Sequence, residues 1–179
     1  ILTSLPQAID TMLDAADCGP AFLGLPQDVQ AMAFDVPDEF LAPRHHAIVR
    51  ARPDRGQLAA AAEALRNASK PLILAGGGVH YSRAEAELAA FAEELGLPVV
   101  ETVAGKSSLL AQHPRYAGPL GVTGAVAANT LAAEADVVIA VGTRLNDFVT
   151  ASWTLFAPDA QLVAVNVGRF DALKHRAVP

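Results

Sequence analysis

The sequence predicts an α/β fold with a central parallel sheet, and three observations support this prediction. Hydrophobic residues make up 52% of the 179 residues but aromatic residues only 6%, and the surplus is alanine, leucine and valine. Such a composition is typical of alanine-rich helices packed closely on valine-rich strands. From residue 54 onward, short apolar runs alternate with helical periodicity, and glycines follow three of the runs. We therefore expect right-handed βαβ units in a three-layer, Rossmann-like domain.

The first 53 residues show a different pattern. Residues 4–15 carry apolar side chains at helical spacing and predict a helix. Residues 21–26 (AFLGLP) predict a short buried strand. Residues 29–53 lack a sustained period and contain several prolines, which is typical of a linker between domains. Adjacent side chains of an extended chain point in opposite directions, so we expect His45 and His46 to be surface residues and not a metal pair.

A capped helix and a strand follow this linker. Asp54 with Gln57 three residues later forms a variant of the capping box, and it predicts a helix that ends near Asn67. Residues 72–75 are all apolar and predict a buried strand.

The same order of elements repeats twice more along the chain. Ser82 with Glu85 predicts a second capped helix that ends at Gly96, and residues 98–102 predict the next strand. Thr123 predicts the cap of a third helix. The last two strands are expected at residues 136–141 and 161–167.

Composition excludes several classes of function. The formal net charge is −6 and the basic residues are scattered, so nucleic acid is not an expected partner. Cys18 is the only cysteine, and with five histidines the chain offers neither an internal disulfide nor a zinc pattern. No apolar run approaches the ~18 residues of a membrane span, and the first residues do not resemble a signal peptide. We expect a cytoplasmic protein that binds no membrane and no metal through these residues.

A candidate ligand site lies where the predicted strands end, because parallel sheets bind ligands outside the carboxyl ends of their strands. The segments there are residues 76–78, 101–102, 142–144 and 166–168, and three of the four contain glycine. The dinucleotide motif G-x-G-x-x-G is not met, since Tyr81 stands where the third glycine belongs. The glycine turn is therefore either a nucleotide contact or a tight strand-to-helix turn without a ligand.

Several segments resemble one enzyme family when they are taken in order: GPAFLGLPQDV, KPLILAGGGV, LGLPVVET, HPRYAGPLGVTG and AANTLAAEADVVIAVGTRLNDF. Together they resemble the middle domain of thiamine-diphosphate-dependent enzymes of the acetohydroxyacid synthase type, a Rossmann-like domain of the NAD/FAD-binding type. Stretches such as AGGGVHYS and ETVAGKSSL are most similar to the branch that opens a cyclic dione in inositol catabolism.

The resemblance covers nearly the whole chain and implies a division into three parts. Residues 1–28 are expected to be the tail of the preceding pyrimidine-binding domain, residues 29–53 a linker, and residues 54–179 the central domain. The chain is accordingly expected to be a piece of a longer polypeptide.

The resemblance also implies which residues would contact a cofactor. The candidates are Gly76, Gly77, Gly78, Gly142, Arg144 and Asn166. In flavin-containing members the glycine turn faces the diphosphate, and the matching arginine reaches toward cofactor or substrate. Those members carry the run Asp-Asp-Arg-Val-Thr-Gly, in which Phe148 and Ala151 of this chain replace the arginine and the glycine. These departures argue against FAD, although FAD and ADP stay open as ligands.

Thiamine diphosphate and Mg²⁺ are expected in the intact enzyme but not on this chain. The family's activating glutamate belongs to the N-terminal domain and its Gly-Asp-Gly motif to the C-terminal domain, and no Gly-Asp-Gly occurs here. Glu101 is expected to be a solvated loop residue. Lys106, His113 and Arg144 are the substrate-proximal candidates, and no residue is expected to be catalytic.

Three functions from different classes follow. The leading one is the central domain of a thiamine-diphosphate-dependent, C–C bond cleaving enzyme, in contact with the other domains of its chain and assembled as a homodimer or tetramer. A keto-acid lyase such as an acetolactate synthase is the alternative within the family. A self-contained FAD- or NAD-binding module and a purely structural assembly domain are the others.

Overall fold

The structure is a computed structural model that describes residues 1–173. It divides into two units, Ile1–Ala51 and a second that begins at Arg52. The expected end of the central domain at residue 179 lies outside the described residues. No helix of the described chain combines the length and the apolar character that crossing a membrane requires.

The first unit has three helices and no buried side chain. The helices are α1 Ser4–Leu13, α2 Gln27–Gln30 and α3 Asp38–Leu41, and none of the residues 1–51 is buried. The strand predicted at residues 21–26 is absent, and Phe22 there is 94% exposed. The prediction was wrong because an apolar run becomes a strand only when another strand pairs with its backbone groups, and this unit supplies none.

The second unit confirms the predicted α/β fold. Its strands are β1 Pro71–Ala75, β2 Val99–Glu101, β3 Tyr116–Pro119, β4 Val137–Val141 and β5 Gln161–Val165. All pairs are parallel, in the order β3-β2-β1-β4-β5. The helices are α4 Arg55–Asn67, α5 Gly78–Ser82, α6 Glu85–Leu95, α7 Val126–Glu134, α8 Asp147–Thr150 and α9 Arg169–Leu173.

The core lies on both faces of the sheet, as three layers require. Successive side chains of a strand point to opposite faces, so Leu72 and Leu74 of β1 pack with α7 while Ile73 and Ala75 pack with α6. On the α7 face, Ala128 and Ala132 are fully buried, and Ala92 occupies the equivalent place on the α6 face. These alanines let the helices approach the sheet closely, which confirms what the composition predicted.

Some predicted helix ends are confirmed and others are not. The Asp54 carboxylate accepts hydrogen bonds from the N–H groups of Gly56 and Gln57 at 2.8 and 3.0 Å, as predicted. Gly96 ends α6 in the left-handed conformation, with a φ of 71°. The caps predicted at Ser82 and Thr123 are absent.

The two missing caps have different causes. Ser82 is the last residue of α5, and Ala84 precedes α6 without a side-chain cap. The N-cap residue of α7 is Ala125 and not Thr123, because Thr123 belongs to a turn at residues 121–124 and the helix begins only after it. The Asn129 side chain binds the backbone of Gly121 at 3.0 Å in both directions and so holds this turn.

Gly142, which follows β4, packs against the backbone of Gly78 in the turn after β1, and its replacement tests this close packing directly. It has a φ of 59°, and a Cβ there would lie 2.5 Å from the Cα of Gly78. We expect Gly142→Ala to lower the free energy of unfolding by about 2 kcal/mol or more, through left-handed strain and steric overlap. Chemical denaturation of the purified chain measures this change.

The matched control makes the reverse change at another left-handed residue. Ala151 ends α8 with a φ of 48°, so Ala151→Gly should be neutral or stabilising by up to about 1 kcal/mol. A Gly142→Ala variant as stable as the parent chain would contradict the close-packing argument.

Candidate functional site

The carboxyl edge of the sheet gathers the loops that follow the strands. The turn at residues 76–78 follows β1, the loop 102–108 follows β2, and residues 142–144 follow β4. β1 is the central strand and pairs with both β2 and β4. The three segments are therefore neighbours, at the edge of the sheet where the strand ends were expected to gather.

The glycines of this edge pack backbone against backbone. A Cβ on Gly76 would overlap the carbonyl oxygen of Gly142, and one on Gly78 would lie 2.5 Å from the Gly142 Cα. A Cβ on Gly77 would lie 3.2 Å from Ala104. The turn after β1 thus requires glycine because protein atoms, and not open space, lie against it.

This turn does not fit the cradle that a nucleotide diphosphate needs. The Gly76 N–H donates to the Val141 carbonyl at 2.8 Å and the Gly78 N–H to the Gly142 carbonyl at 2.9 Å, so two of the three glycine amides are engaged. The helix that follows, α5, has five residues and ends at Arg83 in the left-handed conformation. A single turn of helix offers little dipole to a phosphate.

The two remaining cofactor candidates have different surroundings. The Asn166 amide donates to the Thr143 carbonyl at 3.0 Å, and its oxygen accepts from the Gly168 N–H at 3.0 Å. Asn166 therefore joins the ends of β4 and β5 and has a structural role. Arg144 is exposed, and among residues 1–173 its guanidinium forms no hydrogen bond or ion pair. It is the predicted site residue best placed to meet something outside this chain.

The loop 102–108 lies directly on the glycine turn. A Cβ on Gly105 would overlap the carbonyl oxygen of Ala75, and it would lie 2.9 Å from the Gly76 Cα. The Gly105 N–H donates to Thr102 within the loop at 3.0 Å. This contact brings Lys106, whose side chain is exposed, to the same edge as Arg144.

His113 lies at the amino ends of the strands, opposite the carboxyl edge. It precedes β3, and its Nε2 is 3.2 Å from a carboxylate oxygen of Glu93, near the end of α6. Its Nδ1 accepts from the Arg115 N–H at 3.2 Å. Both ring nitrogens thus bind residues near the amino ends of the strands, and the structure does not bring His113 together with Lys106 and Arg144.

Glu101 is buried, which corrects the prediction of a solvated loop residue. Its side chain is 3% exposed. One carboxylate oxygen accepts from the Tyr116 hydroxyl at 2.7 Å and the other from the Ser107 N–H at 2.8 Å. Ser107 has a φ of 69°, so the carboxylate holds a loop residue in the left-handed conformation. Sequence analysis missed this because the partner Tyr116 lies on β3, a strand that was not predicted.

A second polar cluster surrounds His80 on α5. Its Nδ1 is 2.8 Å from a carboxylate oxygen of Glu85, and its Nε2 is 3.0 Å from the carbonyl oxygen of Lys106. The Glu85 hydrogen bond, followed by the Lys106 carbonyl, raises the pKa of His80. Glu85 therefore binds His80 and does not cap α6. The five-residue spacing of a histidine and a glutamate was the available sequence signal.

The described residues do not fit thiamine diphosphate with its metal ion. No group of three or more His, Cys, Asp or Glu side chains among them could hold a metal. The carboxylate best buried at the carboxyl edge, Glu101, already has both oxygens engaged. A surface cleft of about 520 Å³ lies within the first unit, between α1 and residues 21–29, and it offers no cluster of charged side chains.

The buried carboxylate gives a testable prediction. Tyr116→Phe removes the one side-chain donor that Glu101 has among the described residues, so we expect the free energy of unfolding to fall by about 1–3 kcal/mol. Glu101→Gln is the conservative comparison, because its amide can still accept from Ser107 and donate to the Tyr116 oxygen. Glu101→Gln should lower the free energy of unfolding less than Glu101→Ala does, as measured by urea titration. Equal losses for Glu101→Gln and Glu101→Ala would contradict this arrangement.

The same pair predicts a change of stability at high pH. Burial first, and then the hydrogen bond to Glu101, raise the pKa of Tyr116 from 10.0 to about 12. A neutral phenol is thus favoured in the folded chain, and its contribution is complete below pH 10.0 and lost as the pH rises to about 12. Denaturation at several pH values should show a steeper loss over this range in the parent chain than in Tyr116→Phe. Identical profiles would contradict the assignment.

Comparisons with known proteins give the chain a family. The model of the thiamine pyrophosphate enzyme central domain matches residues 58–179. A protein of Bacillus thuringiensis named 3D-(3,5/4)-trihydroxycyclohexane-1,2-dione hydrolase is 44% identical over 175 residues, 97% of this chain. A protein of the same name from Geobacillus thermodenitrificans is 42% identical over 178 residues. The chain spans only about a quarter of these relatives, 27% and 28% of their lengths.

The match to the family model covers most of the second unit, including all five parallel strands and the glycine turn. The chain therefore belongs to the thiamine pyrophosphate enzymes, and its second unit is their central domain.

Proposed function

We propose that this chain is the central domain of a thiamine-diphosphate-dependent enzyme that opens trihydroxycyclohexane-1,2-dione by cleaving a C–C bond. The observation that carries the proposal is the 44% identity to hydrolases of that name, which extends over 97% of the chain. We take residues 1–28 as the tail of the preceding domain, 29–53 as a linker and 54–179 as the central domain.

The role of this domain in the proposal is to support and align the other domains. The segments that follow β2, β3, β4 and β5 each carry an exposed large apolar side chain, and these are Val103, Val122, Phe148 at the start of α8, and Val167. Side chains of this kind along one edge of a sheet favour contact with another protein surface. The other domains of the same chain, and a second subunit in a homodimer or tetramer, are the partners we propose.

The cofactor chemistry is proposed to occur outside these residues. Thiamine diphosphate, held with Mg²⁺, supplies the carbanion that allows a bond next to a carbonyl to be broken. Because the described residues do not fit this group, the neighbouring domains are the place we propose for it. Arg144 and Lys106, both exposed at the carboxyl edge, are the side chains of this chain that would meet a negatively charged cofactor or substrate there.

Two other functions remain as outcomes of the tests. A keto-acid lyase of the acetolactate synthase type would share the fold and the family. A self-contained FAD- or NAD-binding module would use the glycine turn directly, but the engaged amides of Gly76 and Gly78 argue against it.

The activity can be tested with the full-length protein that contains this chain. With thiamine diphosphate and Mg²⁺ it should open the cyclic dione, whereas the 179-residue chain alone should be inactive. Arg144→Ala should lower kcat/KM about tenfold, because a planar cation is lost next to the proposed active site. The matched control is Arg66→Ala on α4, whose partner is Glu63 and which should leave kcat/KM unchanged. Turnover of pyruvate but not of the dione would support the keto-acid lyase.

Nucleotide binding is tested separately by calorimetric titration of the purified chain with FAD, ADP and NAD. We expect no saturable binding with a Kd below about 1 mM, which corresponds to a binding free energy of roughly 4 kcal/mol. A tighter complex that is lost in Gly77→Val would instead identify the turn after β1 as a nucleotide site. Gly19→Ala is the control, since a Cβ there meets only a backbone oxygen at 3.9 Å.

A further inference from the structure

The His80 ring lies between two elements that are otherwise separate in sequence. Glu85, at the start of α6, faces Nδ1. The loop 102–108 presents two groups to Nε2, which are the Lys106 carbonyl oxygen at 3.0 Å and the Ser108 hydroxyl at 3.4 Å. This is the one histidine of the described chain whose ring joins a helix to the loop that covers the glycine turn.

The two groups that face Nε2 differ in what they require of it, because the Lys106 carbonyl needs a proton on Nε2 whereas the Ser108 hydroxyl can donate or accept. A carbonyl oxygen only accepts, so the contact with Lys106 requires a proton on Nε2. The Glu85 carboxylate also only accepts, and it requires a proton on Nδ1. Both contacts are therefore satisfied only by the doubly protonated ring. When the ring is neutral, the Glu85 carboxylate 2.8 Å from Nδ1 favours the tautomer that keeps its proton on Nδ1. Nε2 is then an acceptor that repels the Lys106 carbonyl and can accept from the Ser108 hydroxyl.

The cluster of Ser108, His80 and Glu85 is not a nucleophilic triad. Ser108 is 2% exposed, so its hydroxyl is closed to a substrate. The shorter contact of Nε2 is with the Lys106 carbonyl, and a nitrogen that donates there cannot accept the serine proton. The arrangement suits a change of hydrogen-bond partner and not an attack on a carbonyl.

We propose that His80 is a protonation-dependent latch that fastens the loop 102–108 over the glycine turn when its ring is doubly protonated and releases the Lys106 carbonyl when it is neutral. The other fastenings of this loop do not depend on His80. Glu101 holds the Ser107 N–H and Gly105 packs on Ala75, so release is confined to the part around Lys106. The latch therefore controls how Lys106 is presented at the carboxyl edge.

The groups around the ring favour the closed state. Glu85 is the charged side chain within hydrogen-bond distance of the ring in the described structure, and the loop contributes the Ser108 hydroxyl and the backbone of Lys106 and, to a smaller extent, of Gly105. The Glu85 hydrogen bond and then the Lys106 carbonyl raise the pKa of His80, while the His80 hydrogen bond lowers the pKa of Glu85. The latch is complete below the ordinary pKa of about 6.5 and is lost as the pH rises through the raised value.

Hydrogen exchange of the full-length protein, read by mass spectrometry between about pH 5 and 9 and corrected for intrinsic rates, tests the latch. Protection of peptides that cover residues 102–108 should fall about fivefold as the pH rises through the His80 titration. His80→Ala should show the low protection at every pH. Glu85→Gln should move the transition to lower pH, because the charge that favours the imidazolium is removed.

Two internal controls keep the result interpretable. His113→Ala, at the amino ends of the strands, should leave the transition unchanged. Peptides covering β1 should keep their protection in all variants. If they lose it in His80→Ala, that variant is unfolded, and the shift of the transition in Glu85→Gln then tests the latch. Protection that does not depend on pH in the parent protein, or a Glu85→Gln transition at the parent's pH, would overturn the latch. These outcomes are independent of whether the dione is the substrate.

Discussion

The close approach of two turns at the centre of the sheet is the constraint on which the rest of this domain depends. β1 and β4 pair along their whole length, and the chain must leave both strands at the same edge. Gly76 and Gly78 leave β1 in contact with Gly142, which leaves β4 in the left-handed conformation. Side chains at these positions would force the turns apart, and the paired strands would then have to end earlier. The direction of α5, which follows at once, is therefore fixed by backbone packing.

Everything else at the carboxyl edge is built on that contact. α5 starts at Gly78, so its position places Val79 in the core and His80 toward the next loop. The loop after β2 can lie on the glycine turn only because Gly105 lacks a side chain. The buried Glu101 then fixes that loop from within and the partly exposed His80 from outside, so polar contacts complete an arrangement that close packing begins.

The parts of the fold that were predictable are those where local pattern and burial agree. β1 and β4 are apolar throughout because they are covered on both faces, and β5 is apolar after Gln161. The Asp54 cap of α4 needs no distant partner. β3 was missed because an edge strand of four residues, one glycine and one proline among them, carries little apolar pattern. The positions of the glycine turn and Arg144 could be predicted, but the burial of Glu101 could not. That burial depends on the pairing of β2 with β3, which is not encoded near either residue.

Glycines at the end of a strand can have two physical explanations, and the hydrogen bonds of their amides distinguish them. In a nucleotide site the glycines remove side chains so that a phosphate can approach free N–H groups. Here the glycines remove side chains so that another strand's turn can approach, and the amides of Gly76 and Gly78 donate to that strand and its turn. The same sequence feature then holds the sheet together, and the exposed positive charges at this edge of the described chain lie on Arg144 and Lys106. The glycine turn is thus required whether or not a nucleotide binds, because the contact between the turns after β1 and β4 leaves no room for side chains.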